Sequence, residues 1–137
     1  SVYDQPASTL DLFPTICHAA GIKLPPEISL DGVDLTPFIK GKVSGLPHDT
    51  LFWSNGPNIA VRHGDWKLVK SYDSTWLFNL ASDIGESKNL ANSEPGIVEQ
   101  LETLYREWRS QMSEPAWPSK PNRRKVEVDG LPYEMNI

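Results

Sequence analysis

Between residues 50 and 80 the chain alternates four short apolar runs with breaks too brief to hide a crossover, and this leaves it few folds to adopt. The runs are Thr50–Trp53, Asn58–Arg62, Trp66–Ser71 and Ser74–Leu80. They are rich in β-branched and aromatic residues, and the breaks carry turn chemistry: Ser54-Asn55-Gly56-Pro57, His63-Gly64-Asp65 and Tyr72-Asp73. Parallel strands need a connection of roughly a dozen residues or more. The segment is therefore expected to form an antiparallel meander of about four strands. A further turn is expected at Asp83-Ile84-Gly85-Glu86.

Such a sheet needs a cover, and the sequence supplies one. Ile97, Val98, Leu101, Leu104, Tyr105, Trp108 and Met112 fall on one stripe of a helix spanning 94–112. Ser93 is placed to cap it, with Pro95 in the first turn. A second, shorter helix is expected over 8–20. Ser8 and Asp11 form a capping box, Gly21 ends it, and Leu10, Phe13, Ile16, Cys17 and Ala20 share a face. Pro14 removes one helical hydrogen bond and requires either a kink or a start near Asp11. The stretch 22–50 holds four prolines and three glycines, so it is expected to be a long connection with at most one helical turn, near Thr36–Lys40. After Glu114 the chain is proline-rich again and no regular structure is expected there. The fold class is α+β: a small antiparallel meander against one long helix, preceded by a short helix and a long linker.

Charge and composition narrow the partners. A net charge of −5 gives no general attraction to nucleic acid, and the cations Lys120, Arg123, Arg124 and Lys125 read as a solvated tail. No apolar run reaches the ~18 residues a membrane-spanning helix needs. A single cysteine, Cys17, excludes an intrachain disulfide framework and a zinc ribbon.

Few residues are arranged for chemistry. Cys17 lies on the apolar face of the first helix, where a free thiol acts as a small hydrophobe. His18, His48 and His63 are scattered without metal-ligand spacing. Asp31-Gly32-Val33-Asp34 lacks the later ligands of a calcium loop and reads as a turn in which Asp caps backbone N–H groups. His48 and Asp49 are sequence neighbours that point apart in an extended chain, which argues against a dyad. Arg62 and Lys67 flank the second hairpin, and Arg62 has the fork geometry to hold a substrate anion.

Five phrases in order carry more than these single residues do. They are Asp11-Leu12-Phe13-Pro14-Thr15 with Ala20-Gly21-Ile22; Leu30-Asp31-Gly32-Val33-Asp34-Leu35-Thr36-Pro37; Ile59-Ala60-Val61-Arg62-His63-Gly64-Asp65-Trp66-Lys67-Leu68-Val69; Trp76-Leu77-Phe78-Asn79-Leu80 with Asp83-Ile84-Gly85-Glu86; and Asn89-Leu90-Ala91. Across roughly residues 8–112 this wording resembles the C-terminal part of the type I, formylglycine-dependent sulfatases. The resemblance implies an upstream catalytic domain of alkaline-phosphatase-like fold, with residues 1–47 as its last helix and linker. Residues 48–114 would form the C-terminal subdomain and 115–137 a proline-rich extension. It implies a parent enzyme that hydrolyses sulfate esters of carbohydrate or aryl substrates with calcium and formylglycine, in the periplasm or secreted. Related phosphonate and phosphodiester hydrolases share that fold.

The resemblance also shows where this chain departs. Cys17 is followed by His18, Ala19, Ala20 and Gly21, not by the Pro and Arg of the family's Cys-x-Pro-x-Arg motif, and the family's calcium-binding aspartates and Asn have no counterpart here. Where many sulfatases carry Trp-Glu-His-Glu-Gly-Asn, this chain keeps Trp53 and Asn58 but has Asn55 in place of the His. An amide does not transfer protons, so Asn55 and Asn58 are expected, with Arg62, as substrate-binding residues and not as catalysts. On this reading the chain carries no catalytic residue and no metal ligand, completes one wall of the substrate cleft, and is inert alone. The rival reading is an independent carbohydrate-binding or interaction module using Trp53, Trp76 and Trp117 as stacking platforms. Leu10, Phe13 and Ile16 separate the two: a fragment exposes this face and tends to self-associate, whereas a module buries it.

Overall fold

Strands β1 (Thr50–Asn55), β2 (Asn58–His63), β3 (Trp66–Ser71) and β4 (Ser74–Asn79) pair in chain order, each antiparallel to the next. The computed structural model describes residues 2–114, 116–117, 123–128 and 131–136, in two compact units, Ser1–Asp49 and Thr50–Ile137. Each of the three hairpin loops is only two residues long. Ser54 and Asn55, expected in a turn, are thus the last residues of β1. Gly56 at φ 58° followed by Pro57 explains this. A positive φ at the first loop position and a proline-fixed negative φ at the second make a type II′ turn, whose twist matches the strands on either side. Gly64 (φ 57°) serves the second hairpin in the same way, and the third places Tyr72 at φ 50°.

Register decides which residues reach the core. Phe52, Val61, Leu68 and Leu77 stand opposite one another across the sheet. With a side-chain period of two they share one face, and α3 (Pro95–Arg109) covers it, bringing Leu101 onto fully buried Val61, Leu68 and Leu77. Phe52 stacks on Trp108 with ring centroids 5.0 Å apart and planes 6° from parallel. Lys70 ties the same face to the helix through Glu102 at 2.6 Å. The opposite face gathers Trp76, Phe78 and Leu80 into a second cluster with Val69.

The helix is shorter than its stripe. It begins at Pro95, with Glu94 and not Ser93 as N-cap, because the residue before proline is driven out of the α region; Glu94 sits at φ −125°, ψ 56°. Beyond Arg109 the bonds tighten to Gln111 N–H on Trp108 O and Met112 N–H on Arg109 O, so Met112 lies in a turn and not in the helix. Asn89 docks the loop before the helix onto β4. Its carbonyl accepts from Leu77 N–H at 3.0 Å and its amide donates to Thr75 O at 3.1 Å, an amide standing in for a strand. The Asp83 carboxylate accepts from Ser87 and Lys88 N–H and organises the preceding turn.

The expectation of no regular structure after Glu114 is overturned. β5 (Arg123–Val128) and β6 (Leu131–Asn136) form an antiparallel hairpin. Proline density hid it, yet both strands of a two-stranded sheet are edges, where a residue such as Pro132 is tolerated.

In the first unit a single 3₁₀ turn, Thr9–Asp11, carries the Ser8–Asp11 capping box and leads into α1 (Leu12–Ala19). Pro14 is its third residue, where a backbone N–H has no helical partner to lose. α2 (Thr36–Ile39) is the single turn expected in the linker. Cys17 is buried, whereas Leu10, Phe13 and Ile16 are 58%, 55% and 63% exposed.

Candidate functional site

The structure divides the three residues expected to bind substrate. Asn55 and Asn58 are cross-strand partners closing the first hairpin. Arg62 lies on the same sheet face, opposite Leu51 and Lys67, four residues along β2 and so roughly 13 Å from Asn58. Asn55 is exposed. Asn58 is half-buried, its carbonyl accepting a 2.6 Å bond from the hydroxyl of fully buried Ser71, so it fixes the base of the hairpin. Arg62 turns its Nε–H to Gly64 O at 3.3 Å, bracing the second hairpin. Of the three, Asn55 borders an open groove.

That cavity is an open groove of about 640 Å³ between the β1–β2 hairpin tip and the end of α3. Ser54, Asn55 and Pro57 form one wall; Tyr105, Trp108 and Arg109 begin the other. The walls are held together where Ser54 Oγ meets Tyr105 OH at 3.1 Å and where Phe52 supports the Trp108 ring from below. Arg109 bonds Glu114 at 2.8 Å and Met112 O at 3.2 Å, and Trp117 also borders the groove. The result combines aromatic surface with an internally neutralised ion pair. Sequence reasoning missed Trp108, Arg109 and Glu114 as groove residues. In the sequence Trp108 is one member of the core stripe that runs to Met112, and it is indeed packed, but its position in the last helical turn also places it on the rim. An Arg and a Glu five residues apart across a helix end were the available signal. Trp76, offered as an exposed platform, is 6% exposed and belongs to the core.

In the first unit the carboxylate partner of His48 is Asp11, whose oxygens lie 2.8 and 2.9 Å from Nε2. Asp11 is fully buried and also accepts from Ser8 N–H (2.7 Å) and Val33 N–H (2.9 Å). Burial acts to raise its pKa, but these hydrogen bonds and His48 outweigh burial and hold it below the ordinary value. Asp34 accepts from Thr36 N–H at 2.9 Å, the capping expected of the Asp-Gly-Val-Asp turn, and meets His18 at 2.8 Å. Among the described residues, no group of three or more His, Cys, Asp or Glu side chains is placed to hold a metal ion, and no helix is long and apolar enough to cross a membrane.

The depressed pKa of Asp11 has a consequence with a definite sign. A carboxylate held below its unfolded value of 3.8 contributes stability that is present above that pH and lost as pH falls through the folded value. Asp34 and Asp83, also held low, act in the same direction. Urea midpoints measured from pH 7 down to 2 should fall steeply below about pH 4, and Asp11→Asn should lower the neutral-pH midpoint while flattening that fall. An unchanged acid slope in the variant would show that the Asp11 cluster does not stabilise the charged form.

No protein-family model matches the chain. The uncharacterized sulfatase YdeN of Escherichia coli is 28% identical over 77% of this chain, and bovine (Bos taurus) arylsulfatase A is 31% identical over 78%. This chain spans only 26% and 28% of those two proteins. Among solved structures, Ps i-CgsB, known also in complex with k-i-k-neocarrahexaose, superposes with a TM-score of 0.66 at 27% identity, covering 82% of this chain and 26% of its own. A putative sulfatase from Bacteroides thetaiotaomicron gives 0.64 at 28% identity, covering 75% and 24%.

Proposed function

We propose that this chain, a relative of the sulfatases, is the C-terminal portion of a sulfuric ester hydrolase, completing the enzyme's fold and one wall of its substrate cleft. The sequence relatives and structural neighbours support the enzyme class. The observation that carries the fragment reading is the helix face of Leu10, Phe13 and Ile16, left more than half exposed. Three large apolar residues on one short helical segment lose several kcal/mol of burial unless something covers them, at about 1.5–3 kcal/mol for each side chain. The face fits the core of a larger domain, and an isolated chain that leaves it bare should self-associate.

The active centre is assigned to the catalytic domain of the parent. Calcium and formylglycine are proposed there because the residues of this chain do not fit them. Cys17 is buried in α1 and followed by His18, and the paired carboxylates Asp11 and Asp34 are engaged by His48, His18 and backbone N–H groups. Within this chain Asn55 is the proposed substrate contact, with Asn58 shaping the hairpin that presents it and Arg62 available on the same face for an anionic group. The proposed substrate is a sulfated carbohydrate or an aryl sulfate, as the names of the relatives suggest, and the proposed compartment is periplasmic or extracellular.

The test is hydrolysis of an aryl sulfate by a gene product containing the upstream sequence and by this chain alone. Turnover by the first and none by the second is the expected result. A native product of only these 137 residues, or a longer one that cleaves phosphonates or phosphodiesters but no sulfate ester, would overturn the proposal.

A further inference from the structure

An outer strand presents backbone N–H and C=O groups that no neighbour satisfies, so the edges of a sheet decide what else it can join. Of the four outer strands, three are guarded. The outward groups of β4 are taken by the loop that follows: Asn89 accepts from Leu77 N–H and donates to Thr75 O, and Leu90 N–H donates to Leu77 O at 2.7 Å. β5 carries Arg123, Arg124 and Lys125, and β6 carries Pro132. Charge and a missing donor both discourage a further strand.

β1 has no such device. Its six residues, Thr50-Leu51-Phe52-Trp53-Ser54-Asn55, include no charge and no proline, and its pairing with β2 runs without a bulge. Asn55 and Asn58 close a two-residue hairpin as a hydrogen-bonded pair, and such pairs alternate along antiparallel strands. The backbone groups of Leu51, Trp53 and Asn55 therefore face β2, and those of Thr50, Phe52 and Ser54 face outward. Among the described residues, the outward backbone groups of Phe52 and Ser54 have no hydrogen-bond partner. Trp53 between them is 49% exposed.

This edge is complementary to itself. Turned antiparallel about Phe52, a second β1 sets Phe52 against the partner's Phe52 and Thr50 against the partner's Ser54 as hydrogen-bonded pairs. The same register sets Leu51 against the partner's Trp53, an apolar cross-strand pair that covers the exposed indole. No like charges meet in it. We propose that β1 pairs antiparallel with β1 of a second copy of this chain, joining two four-stranded sheets into one. The proposal goes beyond the enzyme class and does not depend on it. A strand of this length buries less than the roughly 800 Å² per partner of a stable complex, so the pairing is reversible and grows with concentration.

Amide hydrogen exchange of the whole chain at about 10 µM and about 1 mM, a range in which a weak interface fills, tests this. The Phe52 and Ser54 amides should slow roughly tenfold at the higher concentration. Those of Leu51 and Trp53, already bonded to β2, should not change. Ser54→Pro removes an outward N–H without touching the β1–β2 ladder, so the chain should fold and the slowing at Phe52 should disappear. Ser54→Ala keeps the N–H and loses only the hydroxyl contact with Tyr105, so the slowing should remain. Fast exchange at Phe52 at both concentrations, as association through Leu10, Phe13 and Ile16 alone would leave it, would overturn the proposal. So would slow exchange at both, which would mean that another segment of the chain covers the edge, or slowing that persists in Ser54→Pro.

Discussion

Leu68→Ala should lower the stability of the sheet-and-helix unit by about 3 to 4 kcal/mol, within the 2 to 5 typical of a buried leucine that leaves a cavity. Leu68 is fully buried on β3, a central strand with β2 and β4 hydrogen-bonded on either side. Val61 and Leu77 flank it and α3 closes over it through Leu101. Collapse into the void is restricted, because backbone pairing holds the neighbouring strands and the Phe52–Trp108 stack and the Lys70–Glu102 pair hold the helix. Such a loss is a large part of the 5 to 15 kcal/mol that usually separates folded from unfolded domains. Equilibrium urea unfolding followed by tryptophan fluorescence should show the midpoint falling with little change in slope. A loss below ~1 kcal/mol would mean that α3 does not seal this face of the sheet.

The same residues show why the sheet was legible in the sequence. Alternation of side chains is the direct imprint of a strand with one face buried, and two-residue breaks leave no topology but a meander. Helix α3 was legible for the same reason, through its 3.6-residue stripe. Its ends were not, because they depend on events outside the stripe: the steric effect of Pro95 on Glu94, and the tightening of bonds beyond Arg109. The β5–β6 hairpin is hidden by the prolines around it, among them Pro132, which a strand at a sheet edge tolerates. The groove was illegible for a different reason. It is assembled from residues more than fifty positions apart, Asn55 and Arg109, whose meeting depends on the register of β1 and the rotation of α3 together. The partner of His48 was hidden in the same way: it is not adjacent Asp49 but Asp11, 37 residues away.

That partnership rests on a close approach that can be tested by adding a single methyl group. A Cβ on Gly32 would lie 2.1 Å from Leu10 O, 2.4 Å from Leu10 C and 2.8 Å from Asp11 N, all backbone atoms of the 3₁₀ turn and its flank. Side chains can rotate away from such a clash; this backbone is held by the Ser8–Asp11 capping box and cannot yield cheaply. Gly32→Ala should therefore cost roughly 3 kcal/mol or more, the upper end of overpacking effects. The damage should spread along a definite route. Separating the linker from the turn draws Val33 N–H away from Asp11 and Leu35 N–H away from Thr15 Oγ1. It also leaves buried Asp11 with fewer donors, which loosens its hold on His48. Gly21 is the control. It sits at φ 70° with open space around it, so Gly21→Ala meets only left-handed backbone strain, of order 1 kcal/mol. Amide hydrogen exchange resolves the two effects: Gly32→Ala should deprotect Val33 and Leu35 strongly while β2 and β3 keep their protection. If Gly32→Ala proved no costlier than Gly21→Ala, the Asp31-Gly32 turn would not be the clamp that seats the linker on the first helix.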